Sequence, residues 1–526
     1  VALIACCVAI LAVAVGCGAT SETSTPSPVE TLTPQRGGRL VVAVPLREPN
    51  SALRLMLEPL TTFASDGRVV PFLAESVEPN DRFDRWTIRV RPDITFHNGE
   101  PLDAKAVKAN LDTYSVSPVY GTDPFEPIRA TKIVDERTVE VELAAPWASF
   151  PSYLTAEQSD GTGLMASPAT IEKAGPLFLA APGMADLYGT GPFVIEASES
   201  ENDRWIARRN QDYWQEGLPY LNEVELRAVP DSSIRESGLE SGDFDLVITS
   251  KTSDNPSGFP VFTPDGDVQV LTVALNTQRP PLDDPALREA LAAATDVKAL
   301  AVTAGVDPGS IATGPFGPGS RWSDPAAAPA SFDPERARRL VAEHEASAGP
   351  VTVRLGAVDL ETTNVAVQQQ LAQQWSAVGI DVELSVVDPF AQTATLLVAG
   401  DFDAALGTQF GKPDPDLYYV WWHSSAIKTE GEGAGYNFVG VNDPALDRAL
   451  DAARATPDDD TRRAEMVKVQ KRLADASPYV WLWGTRWSMV SNSRVQGIGE
   501  APLPGGGTRL AMVGSRPNLE GMWLQP

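Results

Sequence analysis

Val1 to Val15 form one apolar run without a single charge. A membrane-crossing helix needs about 20 apolar residues, so this run is too short to span and suits the hydrophobic region of a signal peptide. From Gly18 to Arg36 the pattern disappears into Ser, Thr, Pro and Glu, with almost no large apolar side chain. Such a segment cannot bury a core and reads as a solvated tether. Regular patterning starts after Gly37-Gly38, where Leu40 to Val44 has the β-rich apolar character of a buried strand. Trp86 to Arg91 alternates apolar and polar positions as a half-buried strand does, Pro92-Asp93 ends it, and His97-Asn98-Gly99 makes a turn. Asp103 then caps a helix to about Ser115, with Val107, Leu111 and Tyr114 on one face. In the second half Asp333-Pro334 and Asp443-Pro444 are helix starts. Val367, Leu371, Trp375 and Val378 line one helical face, Gly379 stops that helix, and Ile380 to Val386 alternates as a strand. This helix, glycine, strand order predicts a mixed α/β lobe.

At 526 residues the chain exceeds one hydrophobic core, which stops growing at roughly 250–300 residues. At least two lobes follow. With 43% hydrophobic and 21% charged residues the body is an ordinary globular chain. A net charge of −28 repels phosphate backbones, which excludes nucleic acid as a partner and keeps an exported protein soluble. The three cysteines, Cys6, Cys7 and Cys17, all precede the tether, so the body has no disulfide and no thiolate ligand. His97, His344 and His423 form no HxxxH or HExxH pair, and no metal or other cofactor is expected. There is no phosphate-binding loop, dinucleotide loop or nucleophile elbow, and the acidic groups Asp283-Asp284 and Asp458 to Asp460 sit where helix caps belong. The sequence therefore predicts a protein that is not an enzyme.

Small residues lead the apolar run into Ala14-Val15-Gly16-Cys17, with Ala14 where leucine is usual. This resembles the bacterial lipobox, which implies cleavage before Cys17 and lipidation of its thiol on the outer face of the cell membrane.

Further motifs fall in a fixed order. Glu58-Pro59-Leu60 and Pro71 to Ser76 come first, then Trp86 to Leu102 with its Phe96-His97-Asn98-Gly99 core. Gly189-Thr190-Gly191-Pro192-Phe193, Arg209-Asn210 with Tyr213-Trp214, and Ser241 to Asp245 follow. Leu287 to Leu291 with Asp296, Val378 to Val382 and Asn442 to Asp447 complete the series. In this order, over roughly Gly37 to Val495, the chain resembles the family 5 extracellular solute-binding proteins, which bind oligopeptides, dipeptides, nickel complexes or some oligosaccharides. The motif residues themselves read as scaffold, with Trp86, Tyr213 and Trp214 in the core.

The resemblance implies an α/β, two-lobed periplasmic-binding-protein-like fold with an extra subdomain inserted in the first lobe. The implied division is a signal peptide over 1–16, a tether over 17–36, lobe I from 37–60, 189–275 and 488–526, the subdomain over 61–188, and lobe II over 276–487. It implies a monomeric, lipid-anchored substrate-binding protein of an ABC importer, which captures a small ligand between hinged lobes and passes it to permease subunits. The alternative is a surface lipoprotein of the same fold that regulates or scaffolds cell-envelope machinery. Peptide-binding relatives carry "W-x-x-D-Y-x-D-P-D", whose first aspartate pairs with the ligand ammonium. Aligned on Asp414-Pro415-Asp416, that aspartate falls on Gly411 and the tryptophan on Thr408. The expected ligand-binding set is Phe410, Gly411, Asp414, Asp416, Trp422, Tyr436, Asn437 and Phe438, with aromatic stacking on Trp422 or Tyr436 in place of the lost charge pair. A modified peptide, a peptide-like compound or a saccharide fits this expectation better than an ordinary peptide.

Overall fold

The computed structural model describes residues 33–45, 49–115, 127–155, 157, 163–175, 186–199, 204–250, 258–264, 268–328, 331–358, 362–387, 400–409, 411–427 and 435–526. Cys17 and Phe410 lie outside the described residues. Gln35–Pro526 forms one compact unit.

Two sheets define the two lobes. In the first, Arg39–Val44 lies between Glu223–Ala228 and Leu246–Thr249 and is parallel to both. Arg204–Arg209 and Phe193–Glu199 extend one side, and Ser488–Ser491 with Val261–Phe262 the other, all antiparallel. Central position explains the continuous apolar run of the first strand: Leu40, Val42, Ala43 and Val44 are buried. The second sheet runs Asp381–Val387, Thr352–Val358, Ala404–Gln409, Gln269–Leu275, Tyr479–Thr485. Val367, Leu371, Trp375 and Val378 of the helix beside it are buried in its core, as their spacing predicts. The strand Gln269–Leu275 corrects one boundary. It pairs with Ala404–Gln409 and Tyr479–Thr485, so the first lobe ends before residue 269 and not at 275. An apolar run buried on both faces needs neighbours on both sides, and only the second sheet offers them to it.

Between Pro59 and Phe193 the chain builds a four-stranded antiparallel sheet, ordered Ala74–Pro79, Arg85–Val90, Thr138–Leu143, Ile128–Asp135. The helix Ala104–Tyr114 packs on it, with Asp103 capping the backbone N–H groups of Lys105 and Ala106. This part shares one continuous hydrophobic cluster with the first lobe, so its side chains complete the lobe core instead of making their own.

The chain crosses between the sheets twice, once before Gln269 and once between Thr485 and Ser488. Trp487 Nε1 donates to Gln269 Oε1 at 2.6 Å and ties the two crossings together.

Candidate functional site

The stretch from Pro415 to Trp422 is helical: a 3₁₀ turn over Pro415–Tyr418 runs into a helical turn over Tyr419–Trp422. Proline after Asp414 fits the start of that turn, and the Asp414 carboxylate accepts from the Asp416 N–H at 2.8 Å. Leu417, Tyr418, Val420 and Trp422 are buried, and Tyr419 and Trp421 are half-buried.

Burial reassigns most of the expected ligand contacts. Trp422, with 0% of its surface exposed, packs inside the second lobe against Phe316 and Tyr418. Tyr436, at 2%, packs with Val420, Ala426 and Trp421. Asn437 is also interior: its carboxamide accepts from the N–H groups of Gly440 and Val441 and donates to the carbonyls of His423 and Val441. These three residues are lobe scaffold and the expectation of stacking on Trp422 or Tyr436 is corrected. Phe438 keeps part of its surface, packed edge-on against Phe402 and Trp421.

Asp414 and Asp416 sit in the seam between the second lobe and the inserted subdomain. Each is matched by an arginine of its own lobe: Arg462 holds both oxygens of Asp414, and Arg454 Nε donates to Asp416 Oδ1 at 2.9 Å. From the subdomain, Trp147 Nε1 donates to Asp416 Oδ2 at 2.7 Å and Ser152 Oγ to Asp414 Oδ2 at 2.9 Å. Tyr153 OH donates to the Asp416 carbonyl at 2.7 Å and accepts from Arg454 Nη2 at 2.9 Å. The Arg454 guanidinium lies 4.2 Å from the Trp147 ring centre and 3.4 Å from that of Tyr419. Leu417 enters the core cluster of the first lobe. Burial alone would raise the Asp414 carboxyl, but the Arg462 charge overrides it and holds the group below the usual carboxylate range.

Gly411 and Lys412 border the same seam. Gly411 has φ +89°, and a Cβ there would stand 2.6 Å from Gln269 Cγ and 2.8 Å from the Gln269 backbone. No side chain fits without movement of the strand. The Lys412 ammonium donates to the Glu157 carbonyl, while the Glu157 carboxylate takes Arg54 through both oxygens at 3.1 Å. A segment of the second lobe, one of the subdomain and the helix Pro49–Met56 of the first lobe thus meet at Glu157.

Sequence reading missed Trp147, Ser152, Tyr153, Arg454 and Arg462. Their contacts to one another and to the two aspartates span up to 301 residues, and no local pattern carries such a pairing. The family motifs converge elsewhere. His97 Nδ1 accepts from the Gly189 N–H at 3.3 Å, and its Nε2 lies 3.0 Å from the Gly191 carbonyl, to which it donates in the matching tautomer. Cβ atoms on Gly189 or Gly191 would collide with the Met56 backbone, at 2.0 Å and 2.6 Å from its carbonyl oxygen. Beside them the buried Glu58 carboxylate accepts from Thr190 Oγ1 and Tyr213 OH at 2.7 Å and from Trp214 Nε1 at 2.8 Å. Burial pushes the Glu58 carboxyl up to about 7 against those three donors. Among the described residues no group of three or more His, Cys, Asp or Glu side chains is arranged to hold a metal.

Two α/β lobes joined by two crossings, with a subdomain built into one of them, define the solute-binding architecture. Residues 68–430 match the model of the bacterial extracellular solute-binding proteins, family 5, and the chain belongs to that family. It is 24% identical over 485 residues to the nickel-binding periplasmic protein of Escherichia coli (strain K12), covering 87% of this chain and 89% of that one. In fold it is similar to the oligopeptide-binding protein AppA of Bacillus subtilis in complex with a nonapeptide, with a TM-score of 0.79, 19% identity, and 94% and 100% of the two chains covered. It is also similar to AgaA of A. tumefacien R10 in complex with agropinic acid, with a TM-score of 0.77, 23% identity, and 93% and 99% covered. The chain is accordingly a substrate-binding protein of the ABC-transporter type that acts outside the cytoplasm.

Proposed function

We propose that this chain is the lipid-anchored receptor of an ABC importer, held to the membrane through Cys17, which closes its two lobes on a small ligand and delivers it to permease subunits as a monomer. The observation that carries this reading is a family match over residues 68–430 on a fold whose two sheets are joined by two tied crossings. Ligand between the lobes contacts both sides only when they are closed, so binding energy drives closure.

The ligand we infer is a modified peptide, a peptide-like compound or a saccharide without a free ammonium group to be buried. Gly411 supports this. The position where peptide-binding relatives place their ammonium-binding aspartate has no room for a side chain, and Asp414 and Asp416 are already matched by Arg462 and Arg454. Burying an ammonium group with no charged partner forfeits several kcal/mol of hydration. Ligands named for the relatives above, a nonapeptide, nickel and agropinic acid, show how far the chemistry ranges within this architecture.

Native mass spectrometry of the purified protein tests the reading directly, with a retained small molecule as the expected result. Calorimetric titration with a mixed peptide library should give no sub-micromolar binding. Tight binding that depends on a free peptide N-terminus would refute the ligand class. Membrane fractionation tests the anchor: Cys17→Ala should move the protein to the soluble fraction, and unchanged membrane retention would refute lipidation at that residue.

A further inference from the structure

The seam around Asp414 and Asp416 is built unlike a ligand pocket. Its acidic groups are neutralised by arginines of their own lobe, so the turn Asp414 to Tyr418 is pre-formed before it meets anything else. The opposing face, Trp147 to Tyr153, adds further donors to the same turn: an indole N–H to Asp416 Oδ2, a serine hydroxyl to Asp414 Oδ2 and a tyrosine hydroxyl to the Asp416 carbonyl. The Ala148 N–H adds a backbone bond to the Arg454 carbonyl at 2.8 Å. Leu417, fully buried, fills a site in the core of the other lobe.

We propose that the turn Asp414 to Leu417 is a plug that docks into the inserted subdomain and latches the two lobes closed without any ligand, with Trp147, Ser152 and Tyr153 as its socket. The subdomain is then the half of the closing mechanism that receives the second lobe. Because Arg454 and Arg462 stay with their aspartates when the lobes part, opening never strands a bare buried carboxylate and the latch is reversible. Hydrogen bonds to charged groups are the strong class, so the socket biases the free protein toward the closed form. A closed form favoured in advance lowers the conformational cost of capture and sets how long a ligand stays. The purpose of the latch rests on the receptor reading above, while the latch itself is read without ligand.

Small-angle scattering and amide hydrogen exchange on the full, ligand-free protein test this. Tyr153→Phe combined with Ser152→Ala removes two socket donors and leaves both arginine pairs intact. The closed-to-open ratio should fall about tenfold or more, with a larger radius of gyration and faster exchange confined to the segments around 148–155 and 414–422. Ser152→Ala alone, a smaller change, should move the same observables in the same direction and covers the case of a double variant that fails to fold. Unchanged scattering and unchanged exchange in a folded variant would overturn the latch. Native mass spectra with no retained small molecule, together with the latch observables as expected, would count against the receptor reading and leave the latch standing.

Discussion

Two buried acidic sites in this molecule solve the same problem in opposite ways. Glu58, inside the first lobe, is held by three neutral donors and sits at a junction of motifs that does not need to move. Asp414 and Asp416, in the seam, are each held by an arginine, and their neutral donors come from across the gap. Neutral donors do not offset full burial, so Glu58 is pushed up to about 7, whereas Arg462 keeps Asp414 below its usual range. A static site tolerates a carboxyl that takes a proton. A seam that meets water each time it opens is better served by a charge already paired within its own lobe.

The largest expected effect comes from breaking that pairing. Arg462→Leu strands the Asp414 carboxylate and should cost about 3–5 kcal/mol of stability, read from the urea midpoint at neutral pH. A loss under about 1 kcal/mol would mean that Asp414 needs no cation and would collapse the contrast with Glu58. The second prediction concerns pH. With its folded-state value raised from 4.5 to about 7, Glu58 adds stability that is complete below the unfolded value and is lost as pH rises through about 7. Between pH 4.5 and 7.5 the native protein should therefore lose about 3 kcal/mol relative to Glu58→Gln, which cannot titrate. Asp414 has the reverse sign: its contribution is present above the unfolded value and lost as pH falls. Parallel stability curves for the native protein and Glu58→Gln would show that the three donors do offset burial.

Smaller effects sharpen the same contrast. Gly411→Asp would add a third carboxylate to the seam, but at φ +89° and against the Gln269 backbone, so about 2 kcal/mol or more should be lost and no peptide affinity gained. Thermal melts and calorimetry with a peptide library check both halves. Asp103→Ala removes a half-buried carboxylate that only caps a helix, and should cost about 1 kcal/mol. That value sets the scale for an acidic group that neither lies in a core nor bridges two lobes.

Local chemistry was legible where one segment determines its own structure. Asp103, Asp333 and Asp443 cap helices at the positions their sequence signals, and the face Val367, Leu371, Trp375, Val378 is buried as spacing requires. The ordered motifs conveyed the architecture, and the structure shows why they belong together: His97 grips Gly189 and Gly191, and Glu58 binds Thr190, Tyr213 and Trp214. The candidate site was less legible. Aromatic composition near residue 420 suggested a binding surface, but Trp422 packs inside the lobe against Phe316, more than a hundred residues away, a contact with no local signature. Asp414 and Asp416 were singled out for their place beside Gly411, and their partners, 38 and 48 residues away in the same lobe and more than 260 across the seam, leave no local trace.

The strand order of the first sheet has a consequence for biosynthesis. Ser488–Ser491 lies between Leu246–Thr249 and Val261–Phe262, so that sheet has a vacant slot until nearly the whole chain exists. About 240 residues separate Thr249 from Ser488, and at about 5–20 residues per second the gap lasts roughly 12–48 s of synthesis. During that interval two strand edges stay unpaired, the condition that invites aggregation. Insertion of Ser488–Ser491 is therefore a late step, and the first lobe reaches its final stability only after the second lobe has been synthesised.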